Sequence, residues 1–297
     1  MMRPLLSEIM NAEQKGVALG HFNISNLEQL KAIAHVAQKL NLPVIIGVSE
    51  GERDYLGVHH VKDLVASYNK EHTTNPSADR GFWLFLNADH THSVDGARKA
   101  AEAGFDAVLF DGGKLSLEEN IQKTKEAVAV VRAINPDILV EGELGNIGSS
   151  SEIRKEIPTG AAISEGDLTT PEEALRFVKE TGVDLLAPAV GNVHGMFADA
   201  PEPALNIARI AEIKKAAKVP LVLHGGSGNT DEEFREAIRA GISVIHISTE
   251  LRVAWRKGME EALQKNPDEV APYKLTPLAM EDMERVVETR LKLFGGL

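Results

Sequence analysis

Short runs of apolar residues alternate along the chain with longer stretches in which apolar residues return every three or four positions. The longer stretches, such as LEQLKAIAHVAQKL and EENIQKTKEAVAVVRAI, are typical of amphipathic helices. The short runs are rich in Val, Ile, Leu and Phe, which is typical of strands buried on both faces of a parallel sheet. Eight such runs are found, at 17–24, 43–49, 82–89, 107–113, 138–144, 185–191, 219–226 and 242–249.

Eight strand-helix units predict an α/β fold in which residues 1–297 form a single (β/α)8 TIM barrel. An open doubly wound sheet is the alternative, but it needs edge strands, and none of the eight runs is markedly more polar or broken by proline. The segment from about Pro272 onward predicts an extra C-terminal helix. Its apolar face requires a partner, for which another subunit is one candidate.

One connection, residues 145–170, is unusually long and dense in Gly, Ser and Thr. Loops of this length inside compact domains are usually lids or binding loops. We therefore predict a mobile active-site loop, with a disordered surface excursion as the alternative.

Composition and charge exclude several classes of function. The net charge of −12 offers no basic field for a phosphate backbone, so we expect no nucleic-acid partner. No stretch approaches the roughly 18 apolar residues of a membrane span, so we expect no membrane partner and a cytoplasmic location. The absence of cysteine excludes thiolate ligands, which leaves His, Asp and Glu for any metal.

Polar residues close or follow nearly every apolar run. Because the carboxyl ends of barrel strands meet on the face where chemistry occurs, these side chains are expected to converge. Three histidines from three strands match the neutral nitrogen ligands of a catalytic zinc, although each one alone is more often a packing residue. The strand-end residues are Asn23, Ser49, Asp89, His90, Asp111, Glu143, Asn192, His194 and His224.

Two further segments follow the seventh and eighth runs: HGGSG at 224–228 and ISTE at 247–250. Backbone amides at these two barrel loops form a frequent phosphate site, since Gly permits close approach and helix N-termini are partly positive. Gly-Gly also serves ordinary tight turns, so the position after the seventh strand carries the argument. The pattern favours a phosphorylated substrate.

Taken in order, the motifs resemble those of class II fructose-bisphosphate and tagatose-bisphosphate aldolases along nearly the whole chain. They are FNISNLE, VSEG, NADHTHS, DGG followed by EEN, VEGELG, GNVHGMF and VLHGGSG. The resemblance implies reversible cleavage of a ketose 1,6-bisphosphate, most simply fructose 1,6-bisphosphate, to dihydroxyacetone phosphate and glyceraldehyde 3-phosphate. It also implies a homodimer or homotetramer that binds Zn²⁺ and, in some members, a second divalent ion or a monovalent cation.

The resemblance assigns a role to each matching position. It implies zinc ligands at His90, His194 and His224, and an acid/base at Asp89 that acts on the C4 hydroxyl. Asp111 and Glu143 match positions that hold a second or displaced metal. Positions matching the phosphate cradle are Gly195, Gly225, Ser227 and Thr249, and those matching other substrate contacts are Asn23 and Ser49. The metal would disperse the negative charge left when the C3–C4 bond breaks.

The chain departs from the family pattern at three places. His246 stands where the family usually has Asn, so it is a candidate to donate to phosphate or to add a ligand. In the loop, the family's glutamate position falls on Ser151, so Glu152 is our candidate for the proton-transferring glutamate, with Glu156 as the alternative. DGG at 111–113 replaces the commoner DGS and removes one hydroxyl.

Three rival functions remain open from the sequence. A Schiff-base aldolase would need a lysine at a strand end, and only Lys114 comes near one. A metal-dependent barrel hydrolase would use a similar set of His and Asp, although HGGSG favours a sugar phosphate. A non-catalytic relative that binds a sugar phosphate is the third, suggested by His246 and the altered loop.

Overall fold

The predicted (β/α)8 barrel is confirmed: in a computed structural model, eight parallel strands close on themselves and an additional helix follows the last unit. The structure describes residues 4–72, 82–148, 152–154, 164–197 and 203–297. Among the described residues, no helix is long and apolar enough to cross a membrane.

The barrel strands fall within or beside the eight apolar runs. They are β1 (Leu19–Asn23), β2 (Pro43–Val48), β3 (Trp83–Thr91), β4 (Ala107–Phe110), β5 (Leu139–Leu144), β7 (Leu185–Pro188), β9 (Leu221–Leu223) and β10 (Ile242–Ile247). They pair in the order β1-β10-β9-β7-β5-β4-β3-β2 around the closed barrel. Two short strands outside the barrel, β6 (Ile153–Arg154) and β8 (Met196–Phe197), pair with each other.

The helices surround the barrel, and several begin with capping boxes that satisfy their free amides. In chain order they are α1 (Pro4–Lys15), α2 (Leu27–Leu40), α3 (Glu50–Leu56), α4 (Val58–His72), α5 (Val94–Glu102), α6 (Leu117–Ile134), α7 (Pro171–Thr181), α8 (Ile207–Ala217), α9 (Asp231–Ala240), α10 (Thr249–Lys265) and α11 (Pro272–Phe294).

The amino end of the barrel interior is apolar. Its buried cluster combines inward-pointing side chains of the strands, such as Leu19, Phe85 and Leu139, with Leu5 and Ile9 of α1. Helix α1 therefore closes the bottom of the barrel. A second, larger cluster fills the space between the strands and the outer helices. Both clusters support the opposite, polar end, where the strands terminate.

The C-terminal helix α11 packs within the chain. It contacts α10 and α2, and its buried face includes Met283, Val287 and Leu291. The sequence left open whether another subunit covers this apolar face. The structure shows that the chain's own helices cover it.

Candidate active site at the carboxyl end of the barrel

Three histidines from three strand ends converge as the sequence predicts. Candidate ligand atoms of His90, His194 and His224 all lie within 4.8 Å of one another. The Nε2 atoms of His90 and His194 are 3.1 Å apart. Two nitrogens on one tetrahedral zinc would be about 3.3 Å apart, given bonds of about 2.0–2.1 Å. The three rings are steeply inclined to one another, at 71° to 90°.

Each histidine is oriented from behind through its other nitrogen. Nδ1 of His90 lies 2.8 Å from Asp111 Oδ2, and Nδ1 of His194 lies 2.9 Å from the Gly148 carbonyl. Nε2 of His224 lies 2.8 Å from Glu141 Oε1. Such outer partners fix the ring and tautomer of a metal-binding histidine. The remaining nitrogen of His224, Nδ1, is buried without a hydrogen bond, as a metal ligand would be.

The electrostatic setting keeps two of the three rings neutral. Burial, together with the neighbouring His90, lowers the pKa of His194 and of His224 to about 3. For His90, burial alone would lower the pKa, but the charge of Asp89 and the hydrogen bond to Asp111 raise it to about 10. A metal must therefore displace a proton from His90, whereas the other two rings already present neutral nitrogens.

A β-bulge in β3 brings Asp89 and His90 to the same cavity. Successive strand residues normally point to opposite faces, but the pairing of β3 with β4 shifts register between Ala88 and Thr91. His90 adopts φ 38°, a left-handed conformation that is uncommon for a residue with a side chain. The buried guanidinium of Arg53 donates to the Asp89 carbonyl (2.9 Å) and so supports the bulge. Sequence analysis missed this role of Arg53.

Asp89 lies beside the histidines and is almost completely buried. Asn23 Nδ2 donates to its Oδ2 (2.8 Å) and also to Glu52 (3.1 Å), so Asn23 positions a carboxylate as well as facing the cavity. Burial would raise the pKa of Asp89, but the adjacent charge of His90 holds it well below the usual range. Asp89 is therefore ionised at neutral pH.

Two glutamates of β5 stand beneath the histidines. Burial raises the pKa of both Glu141 and Glu143 well above the usual value, and the Asp111 charge adds to the effect on Glu143. Asp111, Glu143 and His90 also converge within 4.8 Å and could hold a displaced ion. His90 belongs to both groups of candidate ligands, and in this arrangement its Nδ1 is hydrogen-bonded to Asp111.

One part of the cavity wall has the features of a phosphate site. Gly225 adopts φ 60°, and a Cβ there would come within 2.6 Å of the Val193 backbone, so only Gly fits. Ser227 is buried, and its Oγ lies 3.4 Å from the backbone nitrogen of Ser248, next to the N-terminus of α10. Backbone amides and a helix N-terminus favour an anion there.

One cavity of about 520 Å³ joins these parts, a volume suited to a small ligand. The residues predicted to act in catalysis, metal binding or substrate binding line it, except for His224, Asp111 and Glu143. His224 and Glu143 are buried, and all three side chains lie close to His90. Among the described residues no lysine lines the cavity. Asn192, the remaining strand-end residue, is buried and donates to the His224 carbonyl (3.0 Å).

The long connection contributes one described residue to the cavity. Pairing of β6 with β8 holds Glu152 at the rim, where its carbonyl accepts from Met196 N (3.0 Å). Ser151 and Glu156 lie outside the described residues, as do 149–150, 155 and 157–163 of the same connection. The described geometry therefore places Glu152, our candidate for the loop glutamate, within the site.

Comparison with known proteins assigns the chain to a family. A model described as fructose-bisphosphate aldolase class-II matches residues 5–296. The chain belongs to the class II fructose-bisphosphate aldolase family. It is 35% identical to the sulfofructosephosphate aldolase of Alkalicoccus urumqiensis, over 96% of this chain and 94% of that protein.

Other members of the family agree in sequence and fold. The fructose-bisphosphate aldolase of Geobacillus stearothermophilus is 34% identical, over 98% of this chain and 96% of that protein. The crystal structure of the YdjI aldolase from Escherichia coli K12 matches with a TM-score of 0.79 at 28% identity, covering 99% of this chain and 98% of that one. The chain is therefore a lyase of the class II aldolase type, and its family is metal-dependent.

Sequence analysis missed the residues one layer below the strand ends. His21, Asn87 and Glu141 each lie two positions before a predicted site residue on the same strand: Asn23, Asp89 and Glu143. Side chains at i and i+2 of a strand share one face, so each of these residues faces the interior beneath its partner. The alternation of inward and outward side chains along each strand would have predicted these three residues from the sequence.

Proposed function

We propose that this aldolase cleaves a ketose 1,6-bisphosphate reversibly to dihydroxyacetone phosphate and glyceraldehyde 3-phosphate, with fructose 1,6-bisphosphate as the favoured substrate. The observation that carries the proposal is the placement of Asp89 beside three convergent imidazoles, in a cavity that also has the features of a phosphate site. Tagatose 1,6-bisphosphate, or another ketose phosphate, is the second candidate.

His90, His194 and His224 would hold Zn²⁺. Support comes from the unpartnered Nδ1 of His224, the Nε2 atoms of the other two rings at 3.1 Å, and the outer partner behind each ring. When bound, the metal would supply a Lewis acid that polarises the ketose carbonyl and stabilises negative charge developing at C3. Asp111 and Glu143 would accept a displaced or second divalent ion.

The phosphate of the dihydroxyacetone half would lie against Gly195, Gly225, Ser227 and Thr249. Two features support this placement of the phosphate: the positive φ of Gly225 and the nearby N-terminus of the 17-residue helix α10. This anchorage would fix the C3–C4 bond between Asp89 and the histidines. Asn23, Ser49 and His246, which line the same cavity, would contact the sugar.

Two carboxylates would move protons at different atoms. Asp89, ionised and held by Asn23, would take the C4 hydroxyl proton as the C3–C4 bond breaks and return it in condensation. Glu152 at the rim would carry the proton to and from C3 of the dihydroxyacetone half, and Glu156 is the alternative. A monovalent cation, a homodimer or homotetramer, and a cytoplasmic location remain predictions.

The substrate itself needs a direct comparison, because relatives of almost equal similarity carry the names sulfofructosephosphate aldolase and fructose-bisphosphate aldolase. The purified chain should be assayed with fructose 1,6-bisphosphate, tagatose 1,6-bisphosphate and fructose 1-phosphate, before and after EDTA and after added zinc. We expect cleavage that is lost on chelation, regained with zinc, and fastest with fructose 1,6-bisphosphate.

Each contrary outcome has a separate meaning. Cleavage that survives chelation, with borohydride trapping of substrate on a lysine, would overturn the metal mechanism in favour of a Schiff base. Metal-dependent release of phosphate without carbon–carbon cleavage would favour the hydrolase. Binding of dihydroxyacetone phosphate with no turnover of any substrate would favour a non-catalytic relative.

A further inference from the structure

A row of three buried polar side chains crosses the barrel interior, and its His246 end lines the cavity. His246 of β10 pairs in register with His21 of β1, and their rings stack with centroids 3.4 Å apart and planes inclined by only 1°. Nε2 of His21 then lies 3.1 Å from Asn87 Nδ2 of β3. The row skips β2, so the His21 ring spans a strand to reach Asn87.

Gly47 of β2 creates the space that this row needs. A Cβ at Gly47 would lie 2.0 Å from His21 Cε1 and 2.5 Å from its Nε2, so any other residue would collide with the ring. The His21 ring is completely buried, and Asn87 and His246 are nearly so. Branched apolar residues usually fill this level of a barrel, and burying polar groups there is costly. Packing alone therefore does not explain these three polar residues, which indicates a functional role.

The row ends at Asp89. Nδ1 of His246 lies 3.5 Å from Asp89 Oδ1, whereas Asn23 already donates to Oδ2. Asp89 Oδ1 is buried and has no hydrogen bond. The other nearby nitrogen, His90 Nε2 at 3.9 Å, points to the proposed metal centre and would be committed there. Among the described residues, His246 is thus the side chain left to donate to the second oxygen of Asp89.

We propose that His246, held in place by His21 and Asn87, is a positioning residue for Asp89. The proposal rests on the proposed function, and in it an N–H from His246 Nδ1 orients the carboxylate toward the C4 hydroxyl. The stack on His21 fixes the plane of the His246 ring, and Asn87 fixes His21. The 3.5 Å separation would shorten when substrate binds, as hydrogen bonds of catalytic groups often do.

The row is a poor site for a second metal, although His21, Asp89 and His246 offer ligand atoms within 4.8 Å of one another. A metal lies in the plane of each imidazole that binds it. Two parallel rings 3.4 Å apart cannot both contain one ion in their planes. Hydrogen bonding is compatible with the stacked geometry, whereas metal binding would require one ring to rotate.

The proposal separates two steps that a metal-ligand defect would slow together. In the proposed mechanism, Asp89 acts when the C3–C4 bond of the ketose breaks or forms. Exchange with solvent of a proton on the hydroxymethyl carbon of dihydroxyacetone phosphate, the carbon that becomes C3 of the ketose, would need the metal and the loop glutamate but not Asp89. A positioning defect at Asp89 should therefore slow cleavage and spare exchange.

The test compares fructose-bisphosphate cleavage with exchange of dihydroxyacetone phosphate in D₂O, followed by NMR, in the full-length zinc enzyme. We expect His246→Leu to lower kcat for cleavage about 10- to 100-fold, within the range for a perturbed acid/base, with KM changed less. At saturating dihydroxyacetone phosphate, where a weakened contact between His246 and the sugar no longer limits the rate, exchange should stay within about threefold. Zinc should stay at one per chain, since the metal ligands are untouched. His246→Asn, which restores a donor, should recover part of the cleavage rate.

Two companion variants keep the test decisive if His246→Leu folds poorly. Asn87→Leu acts through His21 without touching Asp89, and should slow cleavage in the same selective way but less. His59→Leu, which removes an exposed histidine of α4, is the matched control and should change neither rate.

The outcomes are distinguishable. Equal loss of cleavage and exchange in the row variants, or no loss of either, would overturn the positioning role. Loss of a second bound metal equivalent would overturn it in favour of an ion site. A wild-type enzyme that catalyses neither cleavage nor exchange would instead overturn the proposed function itself.

Discussion

The two ends of the barrel interior use the same strands but opposite kinds of side chain. On β5, Leu139 lies in the apolar cluster at the amino end, whereas Glu141, two residues later on the same face, is buried beneath the histidines. The same step separates Phe85 from Asn87 on β3 and Leu19 from His21 on β1. The apolar end stabilises the fold. At the other end, burying polar groups lowers the stability of the fold but forms the site.

The largest effect should follow from removing a ligand at the polar end. His224→Ala should abolish metal binding at the three-histidine centre and lower cleavage by more than about 1,000-fold, because the Lewis acid is lost. Metal content by mass spectrometry and turnover should fall together. Survival of both would refute the assignment of His224.

Asp89→Ala should leave the metal bound and slow cleavage by about 100-fold or more, the usual scale of a lost general acid/base. The contrast with His224→Ala lies in the metal content, which should remain at the wild-type level. Loss of the metal in this variant would place Asp89 among the ligands instead.

Glu141→Ala and Leu139→Ala form a matched pair on one strand face. Glu141→Ala should weaken zinc binding about 10- to 100-fold, because His224 loses the partner that orients its ring. Glu141→Gln, which keeps an acceptor, should weaken binding less. Competition with a chelator measures the affinity, and unchanged affinity in Glu141→Ala would show that the ring is held by other contacts.

Metal affinity should rise about tenfold per pH unit between about pH 6 and 8, because binding displaces the proton that Asp89 and Asp111 hold on His90. The direction of the effect follows from the raised pKa of His90: at a pH below about 10 the ring is protonated, so protons compete with the metal for it. Titration calorimetry in buffers of different ionisation enthalpy should show proton release on binding. Affinity independent of pH would contradict the protonation of His90.

Leu139→Ala should have the smallest effect on the site. It should lower the free energy of unfolding by about 2–5 kcal/mol, since it leaves a cavity in the apolar end. Zinc affinity and kcat of the folded enzyme should remain close to wild type. A loss of zinc affinity as large as that of Glu141→Ala would show that the two ends are not separable.

The sequence analysis predicted the barrel because eight buried strands and their helices each carry a local signal, and it placed the strand-end residues because barrel topology brings those ends together. The bulge that turns both Asp89 and His90 to the cavity has no comparable signal, since it depends on pairing between β3 and β4. The stack of His21 on His246 likewise depends on strand register.

The partner of α11 could not be predicted for a related reason. An amphipathic pattern shows that a face is buried but not what covers it. From the sequence, the apolar face of α11 could equally be covered by another subunit or by α2 and α10 of the same chain. Only the folded structure shows that α2 and α10 pack against it. Local patterns therefore predicted the elements, while contacts between distant strands and helices determined the fine structure of the site.

The most direct test of the three-histidine centre is the zinc coordination of the purified enzyme, measured by X-ray absorption at the zinc edge. Three imidazole nitrogens at about 2.0–2.1 Å are expected for one zinc per chain. A coordination shell dominated by carboxylate oxygens, or one with fewer than three imidazole nitrogens, would contradict the three-histidine centre.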